Sequence, residues 1–147
     1  MPAPTPPRLI VTGGRGRLAS LIAEHFRAPP NEVVLVSREG GQGFIPLAGL
    51  TEPGALGEGA ALLHLAWSTL PATSEQHPGA EEKHDLPLLK DLLEAIAAAP
   101  KTRRPHFVFF SSGGAVYGNA PGRASVETDA CLPIGSYGRA KRAAEEL

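Results

Sequence analysis

Residues 11–20 read Val-Thr-Gly-Gly-Arg-Gly-Arg-Leu-Ala-Ser. Before them stands a short apolar, β-branched run, Arg8–Thr12, whose composition predicts a buried strand. After them, Leu18, Ile22 and Phe26 recur every fourth residue with Leu21 beside them, which predicts a helix with one apolar face, closed by Pro29–Pro30. Between strand and helix, Gly13, Gly16 and Ala19 fall at three-residue spacing. Gly13 permits a tight exit from the strand, Gly16 has no side chain to block a diphosphate, and the small Ala19 lets the helix pack close to a sheet. The helix start, at Arg17 and Leu18, offers unpaired amides and a partial positive charge to phosphate oxygens. No Lys-Ser/Thr follows the glycines, which excludes a nucleoside-triphosphate loop; the pattern points to a dinucleotide.

Outward from this corner the chain alternates. Glu32–Val36 is a second apolar strand, Ala60–Trp67 a third and His106–Phe110 a fourth, with a short one expected at Phe44–Leu47. Seven glycines between residues 39 and 59 leave little room for a full crossover helix there. Glu81–Ala99 carries leucines and an isoleucine at helical spacing, with Pro87 as a kink or a late start, and a last helix begins near Ser136. Strands alternating with helices, without hairpin signals, predict an α/β fold with a Rossmann-like, doubly wound parallel sheet. In such a sheet ligands gather at the carboxyl ends of the strands, where every motif of this sequence falls.

The end of the second strand bears on the choice of dinucleotide. An acidic side chain there would hydrogen-bond the adenosine ribose and select NAD. This chain has Ser37–Arg38. A hydroxyl and a guanidinium suit a 2′-phosphate and point toward NADP, while Arg38 stacked on adenine or left in solvent is the alternative.

Composition bounds the rest. A chain of 147 residues is expected to form one domain, residues 8–147, behind an extended or disordered proline-rich leader, residues 1–7. A net charge of -1 gives no general attraction to nucleic acid or to an anionic membrane. The single cysteine, Cys131, forms no internal disulfide, which suits a reducing compartment. The leader lacks the apolar core of a signal peptide, and Ala60–Trp67 is too short to span a bilayer, so a cytoplasmic protein is expected.

Tyr137 and Lys141 stand four residues apart and share one face of the predicted helix. A tyrosine of ordinary pKa, about 10, is a poor base. An ammonium one turn away, together with a positively charged nicotinamide, would favour the phenolate. Lys141 can also hydrogen-bond the nicotinamide ribose. A hydroxyl at the end of the His106–Phe110 strand, Ser111 or Ser112, would polarise a substrate oxygen.

Four stretches in this order, VTGGRGRLA (11–19), HLAW (64–67), SSGGAVYG (111–118) and ETDACLPIGSYGRAK (127–141), resemble the successive signatures of extended short-chain dehydrogenases/reductases. They are most similar to the NAD-dependent epimerase/dehydratase family, which acts on nucleotide-activated sugars. The resemblance implies NAD as cofactor, a nucleotide-sugar substrate, Tyr137 as acid/base, Lys141 as its partner and ribose ligand, and Leu65, Ala66 and Trp67 as a wall beside the cofactor. Counting back from Tyr137 places the catalytic hydroxyl at Ser112; aligning on VYG places Gly113 there. A dehydratase of the family needs a further acid/base pair beside that hydroxyl, where Gly113–Gly114–Ala115 offers no carboxylate. Epimerisation is thus the favoured reaction, with dehydration, ketoreduction or a non-catalytic NAD(P)-binding module as alternatives. Asp85 falls near a frequent active-site Asn of the family, but a surface helix carboxylate is the favoured reading. The resemblance also implies a homodimer, through the helices around 81–99 and from Tyr137 onward. The sequence stops at Leu147, in the helix that carries Lys141, so the expectation is a fragment truncated after that helix, without the substrate domain.

Overall fold

A computed structural model of the chain describes residues 7–52, 55–57, 60–119 and 122–147. Of the expected leader only Pro7 is among them; residues 1–6 lie outside. The chain divides into two compact units, Met1–Ala66 with Asp91–Phe110, and Trp67–Lys90 with Ser111–Leu147.

The first unit is a five-stranded parallel sheet. Its strands are β1 (Arg8–Thr12), β2 (Glu32–Ser37), β3 (Ile45–Pro46), β4 (Ala60–His64) and β5 (His106–Phe109), in the spatial order β3-β2-β1-β4-β5. Thr12 pairs with Val36 on one side and His64 on the other, so three carboxyl ends lie level. Strand order reverses between β1 and its two neighbours, which makes the end of β1 the switch point of a Rossmann-type sheet. This is the α/β class that the alternating pattern predicts. The strand expected at Phe44–Leu47 shrinks to two exposed residues, because Pro46 lacks the N–H that a longer ladder needs. Phe44 instead closes an isolated antiparallel bridge with Gly41, and Leu47–Thr51 continues as a 3₁₀ turn. β4 is likewise shorter than expected, leaving Leu65 to Trp67 outside the strand, and β5 stops at Phe109.

Ile10, Val34, Val36, Leu50, Leu56, Ala60, Leu62 and Leu92 form the core of this unit, with Leu47, Ile96 and Phe107 packed on it. Helix α1 (Arg17–Phe26) corrects the periodicity reading. Its buried residues are Ala19 and Ala23, whereas Leu18, Leu21 and Phe26 are 48%, 55% and 44% exposed. Small alanines let the helix lie close to the sheet, and that approach leaves the larger side chains outside.

The second unit is helical. It contains α2 (Pro71–Ser74), a π-helical turn over Glu81–Asp85, the start of α3 (Leu86–Ala98), α4 (Gly113–Val116) and α5 (Ser136–Glu145). α2, α4 and the π turn all pack against α5. The helix expected over 81–99 therefore begins with a widened turn, in which the Leu86 N–H reaches back to the Glu81 carbonyl. Pro87 accounts for this: it donates no hydrogen bond, and its ring would collide with the carbonyl four residues earlier in a regular α-helix. Among the described residues no helix is long and apolar enough to cross a membrane.

Candidate functional site

In the sheet unit the glycine corner begins directly after β1. Gly13 has φ +70, and a Cβ there would lie 3.0 Å from the Ala66 nitrogen and 3.1 Å from the Leu65 carbonyl carbon. Only glycine fits both the left-handed backbone and that approach. The Gly16 N–H bonds the Gly13 carbonyl at 2.8 Å, which folds the corner tightly onto the start of α1. Gly16 is the residue preceding that helix, and no side chain caps it. The first-turn amides, at exposed Arg17 and Leu18, have no intrahelical acceptor by geometry, so the corner can receive an anion.

Thr12, fully buried, explains why Leu65 and Ala66 lie beside this corner. Its hydroxyl accepts the Leu65 N–H at 3.1 Å and the Ala66 N–H at 3.2 Å, and lies 3.0 Å from His64 Nδ1. Both lone pairs are then in use, so the hydroxyl donates its proton to Nδ1 and the imidazole proton sits on Nε2. Arg15, which no sequence motif singles out, clamps the loop after β2. Its guanidinium donates to the Gly40 carbonyl at 2.9 Å and lies 4.6 Å from the Phe44 ring centre. The buried Ser37 hydroxyl also donates to Gly40, at 3.1 Å, while the side chain of Arg38 is exposed. The only signal for Arg15 is a cation set among glycines.

In the helical unit, α5 carries Tyr137 and Lys141 on one face. Lys141 is 4% exposed, with Nζ 3.7 Å above the Trp67 ring and 5.9 Å from the Tyr137 ring centre. Trp67 and Tyr137 meet edge to face, centroids 6.5 Å apart. Trp67 thus belongs to this unit, whereas Leu65 and Ala66 belong to the sheet unit. Asp85, 3% exposed, accepts the Ser68 N–H at 3.0 Å and the Ser68 hydroxyl at 2.6 Å. The surface carboxylate expected here is thus corrected: the side chain is buried and anchors the loop at Ser68. Glu81, fully buried, accepts a hydrogen bond from Thr69; burial works against its charge, but bonds from Ser74 and Thr69 hold its carboxyl below the usual range.

Of the two candidate hydroxyls, Ser111 donates to Glu145, and Ser112 hydrogen-bonds the Tyr137 phenol. Gly113, the other alignment, opens α4 and offers no hydroxyl. Burial raises the Tyr137 pKa; the Ser112 bond lowers it and the Glu81 charge raises it, with a net rise. Without the positive charge of a nicotinamide, the balance at Tyr137 thus favours the neutral phenol. Burial also lowers Lys141, to about 8, against the charges of Asp85 and Glu145.

This gives a pH prediction. A lysine whose folded pKa lies below its unfolded value binds fewer protons folded than unfolded between those two values. Its penalty on stability is full below about 8 and is relieved as pH climbs toward the ordinary lysine value. Urea unfolding of wild type against Lys141→Met should show wild type gaining on the variant from pH 8 to about 10. A constant difference across that range would contradict the buried, down-shifted amine.

Comparison with known proteins follows the same lines. The model of the NAD dependent epimerase/dehydratase family matches residues 9–147. No curated protein sequence matches the chain. Among solved structures, UDP-glucose 4-epimerase from Brucella ovis in complex with NAD is 27% identical, over 95% of this chain and 46% of that one, at a TM-score of 0.75. The UDP-glucose 4-epimerase of Thermus thermophilus, also in complex with NAD, is 26% identical, over 95% and 49%, at 0.73. The Thermotoga maritima UDP-glucose 4-epimerase with UDP-glucose is 25% identical, over 95% and 49%, at 0.75. The chain thus spans somewhat under half the length of these proteins. An NAD-dependent NDP-hexosamine 5,6-dehydratase, at 21% identity and a TM-score of 0.73, shares the fold.

Proposed function

Because this chain belongs to the NAD-dependent epimerase/dehydratase family, we propose that it serves the coenzyme-binding and proton-transfer parts of nucleotide-sugar epimerisation. The sheet unit holds the coenzyme and the helical unit moves the proton. The observation that carries the reading is the cluster of buried Lys141 with half-buried Trp67 and Tyr137, with Ser112 on the phenol. Lone Tyr–Lys pairs at helical spacing are usually solvated; here the lysine is buried and the tyrosine half-buried.

The residues present fit a dinucleotide. The approach of Gly13 to Leu65 and Ala66 leaves room only for a hydrogen, and the uncapped start of α1 suits a diphosphate. NAD, bound in its oxidised form, supplies a hydride acceptor and a positive charge. Tyr137 would take the proton of the sugar hydroxyl in the oxidising step and give it back in the reducing one. Ser112 donates to the phenol oxygen and steadies its charge as it changes. Lys141 adds positive charge on the same side of α5 below pH about 8. Gly113–Gly114–Ala115 supports epimerisation over dehydration, since these residues add no carboxylate after Ser112.

The test is titration of the chain with NAD and with NADP, followed by fluorescence of Trp67, the only tryptophan. Binding of one or both at submillimolar concentration is the expected result; no binding of either at millimolar levels would refute the reading. Arg38 provides the finer arm. Arg38→Ala should weaken NADP about tenfold, the worth of one charge-assisted contact, and leave NAD within about twofold. Equal effects on both coenzymes would remove Arg38 from 2′-phosphate recognition.

A further inference from the structure

Within the helical unit, a cavity of about 150 Å³ is lined by Tyr137 together with Pro71, Glu75, Asn119 and Ile134 and by neighbouring small residues. Among the described residues lining it, Glu75 is the only charged one. Glu75 follows α2, and its Oε1 accepts both the N–H of Ser136 at 2.9 Å and the Ser136 hydroxyl at 2.8 Å. Ser136 is the first residue of α5, so the positive end of that helix also favours an anion here. The Ser136 amide and hydroxyl bonds hold the Glu75 carboxyl below the usual range, so it is ionised at neutral pH. Arg139 adds a smaller pull, but its guanidinium donates to the Ile134 carbonyl at 2.6 Å and does not line the cavity.

A carboxylate offers about four acceptor sites, of which Ser136 takes two. The others can accept hydroxyl hydrogens from a polyol. A ligand carboxylate in the same space meets like charge with no cation in the wall to offset it. The remaining polar groups, the Tyr137 phenol and the Asn119 amide, are uncharged hydrogen-bonding groups suited to a sugar ring.

We infer that Glu75 makes the cavity beside Tyr137 selective for an uncharged hexose over a uronate. This rests on the proposed function and narrows its substrate. Glu75 acts by excluding the wrong charge as much as by holding the right ligand.

Affinity for UDP-glucose and UDP-glucuronate is measured by calorimetry on the whole chain, wild type and Glu75→Gln, with NAD titrated into the same samples. The glutamine oxygen still accepts from Ser136, so the start of α5 is kept. Wild type should prefer UDP-glucose by about five- to tenfold, as expected for like charges a few ångströms apart beside an exposed carboxylate. Glu75→Gln should bring the ratio within about threefold. The wild-type ratio should also fall as salt rises to roughly 0.5 M, which decides the matter where the variant does not fold. Equal or inverted wild-type affinities, a ratio unchanged by Glu75→Gln or by salt, or failure to bind either sugar nucleotide would overturn the inference. Intact NAD binding alongside such a result leaves the proposed function standing; loss of NAD binding as well counts against both.

Discussion

Gly118→Ala should destabilise the protein by about 2–5 kcal/mol, the combined range of a left-handed alanine and an overpacked contact. Gly118 has φ +71, and a Cβ there would sit 2.1 Å from the carbonyl oxygen of Leu132 and 3.1 Å from its carbonyl carbon. Ordinary carbon–oxygen contact begins more than an ångström farther out, and the atom in the way is backbone, so no rotamer change relieves it. Leu132 precedes the approach to α5 over residues 133–135, and Gly118 itself lines the cavity beside Tyr137. Gly122→Ala is the control. Its φ is +80, but nothing among the described residues lies within 4 Å of the added carbon, so it should cost only the backbone share of about 1–2 kcal/mol. Urea unfolding of the two variants separates the steric part from the conformational part. Equal costs would show that the loop around Leu132 yields freely.

Tyr137→Phe should slow sugar oxidation by about 10²–10⁴-fold, the usual worth of a positioned acid/base. Coenzyme affinity should change by less than about twofold, because the phenol forms no part of the glycine corner. The ring itself remains, so the edge-to-face packing on Trp67 persists and stability should fall by no more than about 1 kcal/mol. Absorbance of reduced nicotinamide after mixing with NAD and UDP-glucose follows the rate. A variant that keeps its rate within about threefold would take the proton-transfer role away from Tyr137. If coenzyme binding and rate fell together, the residue would have a broader structural part.

Much of this is legible along the chain because it is local. The Gly13–Gly16–Ala19 spacing records a single tight corner, and Tyr137 and Lys141 are one turn apart on one helix. Strand identity follows from short β-branched runs bounded by glycine or proline. Sheet order follows from right-handed crossovers, which no residue encodes alone. What escapes is either long-range or a competition between side chains. The Thr12 hydroxyl holds amides more than fifty positions away, and Glu75 meets Ser136 across 61. No periodicity carries such pairs. On α1 the leucines have the louder pattern, but close packing rewards Ala19 and Ala23, so the larger side chains are exposed. Ser112 against Gly113 cannot be chosen by counting, since two alignments differ by one residue; only the first carries a hydroxyl.

The widened turn at Glu81–Asp85 bears on how this gene tolerates length change. Loss of one codon between the two acids would allow a regular helix, which looks harmless on inspection. Yet each residue of an α-helix advances about 100° around its axis, so the glutamate upstream would swing away from Thr69, which now donates to it. An in-frame deletion here should therefore be far more damaging than one in the glycine-rich stretch after Arg38, although the latter breaks no helix.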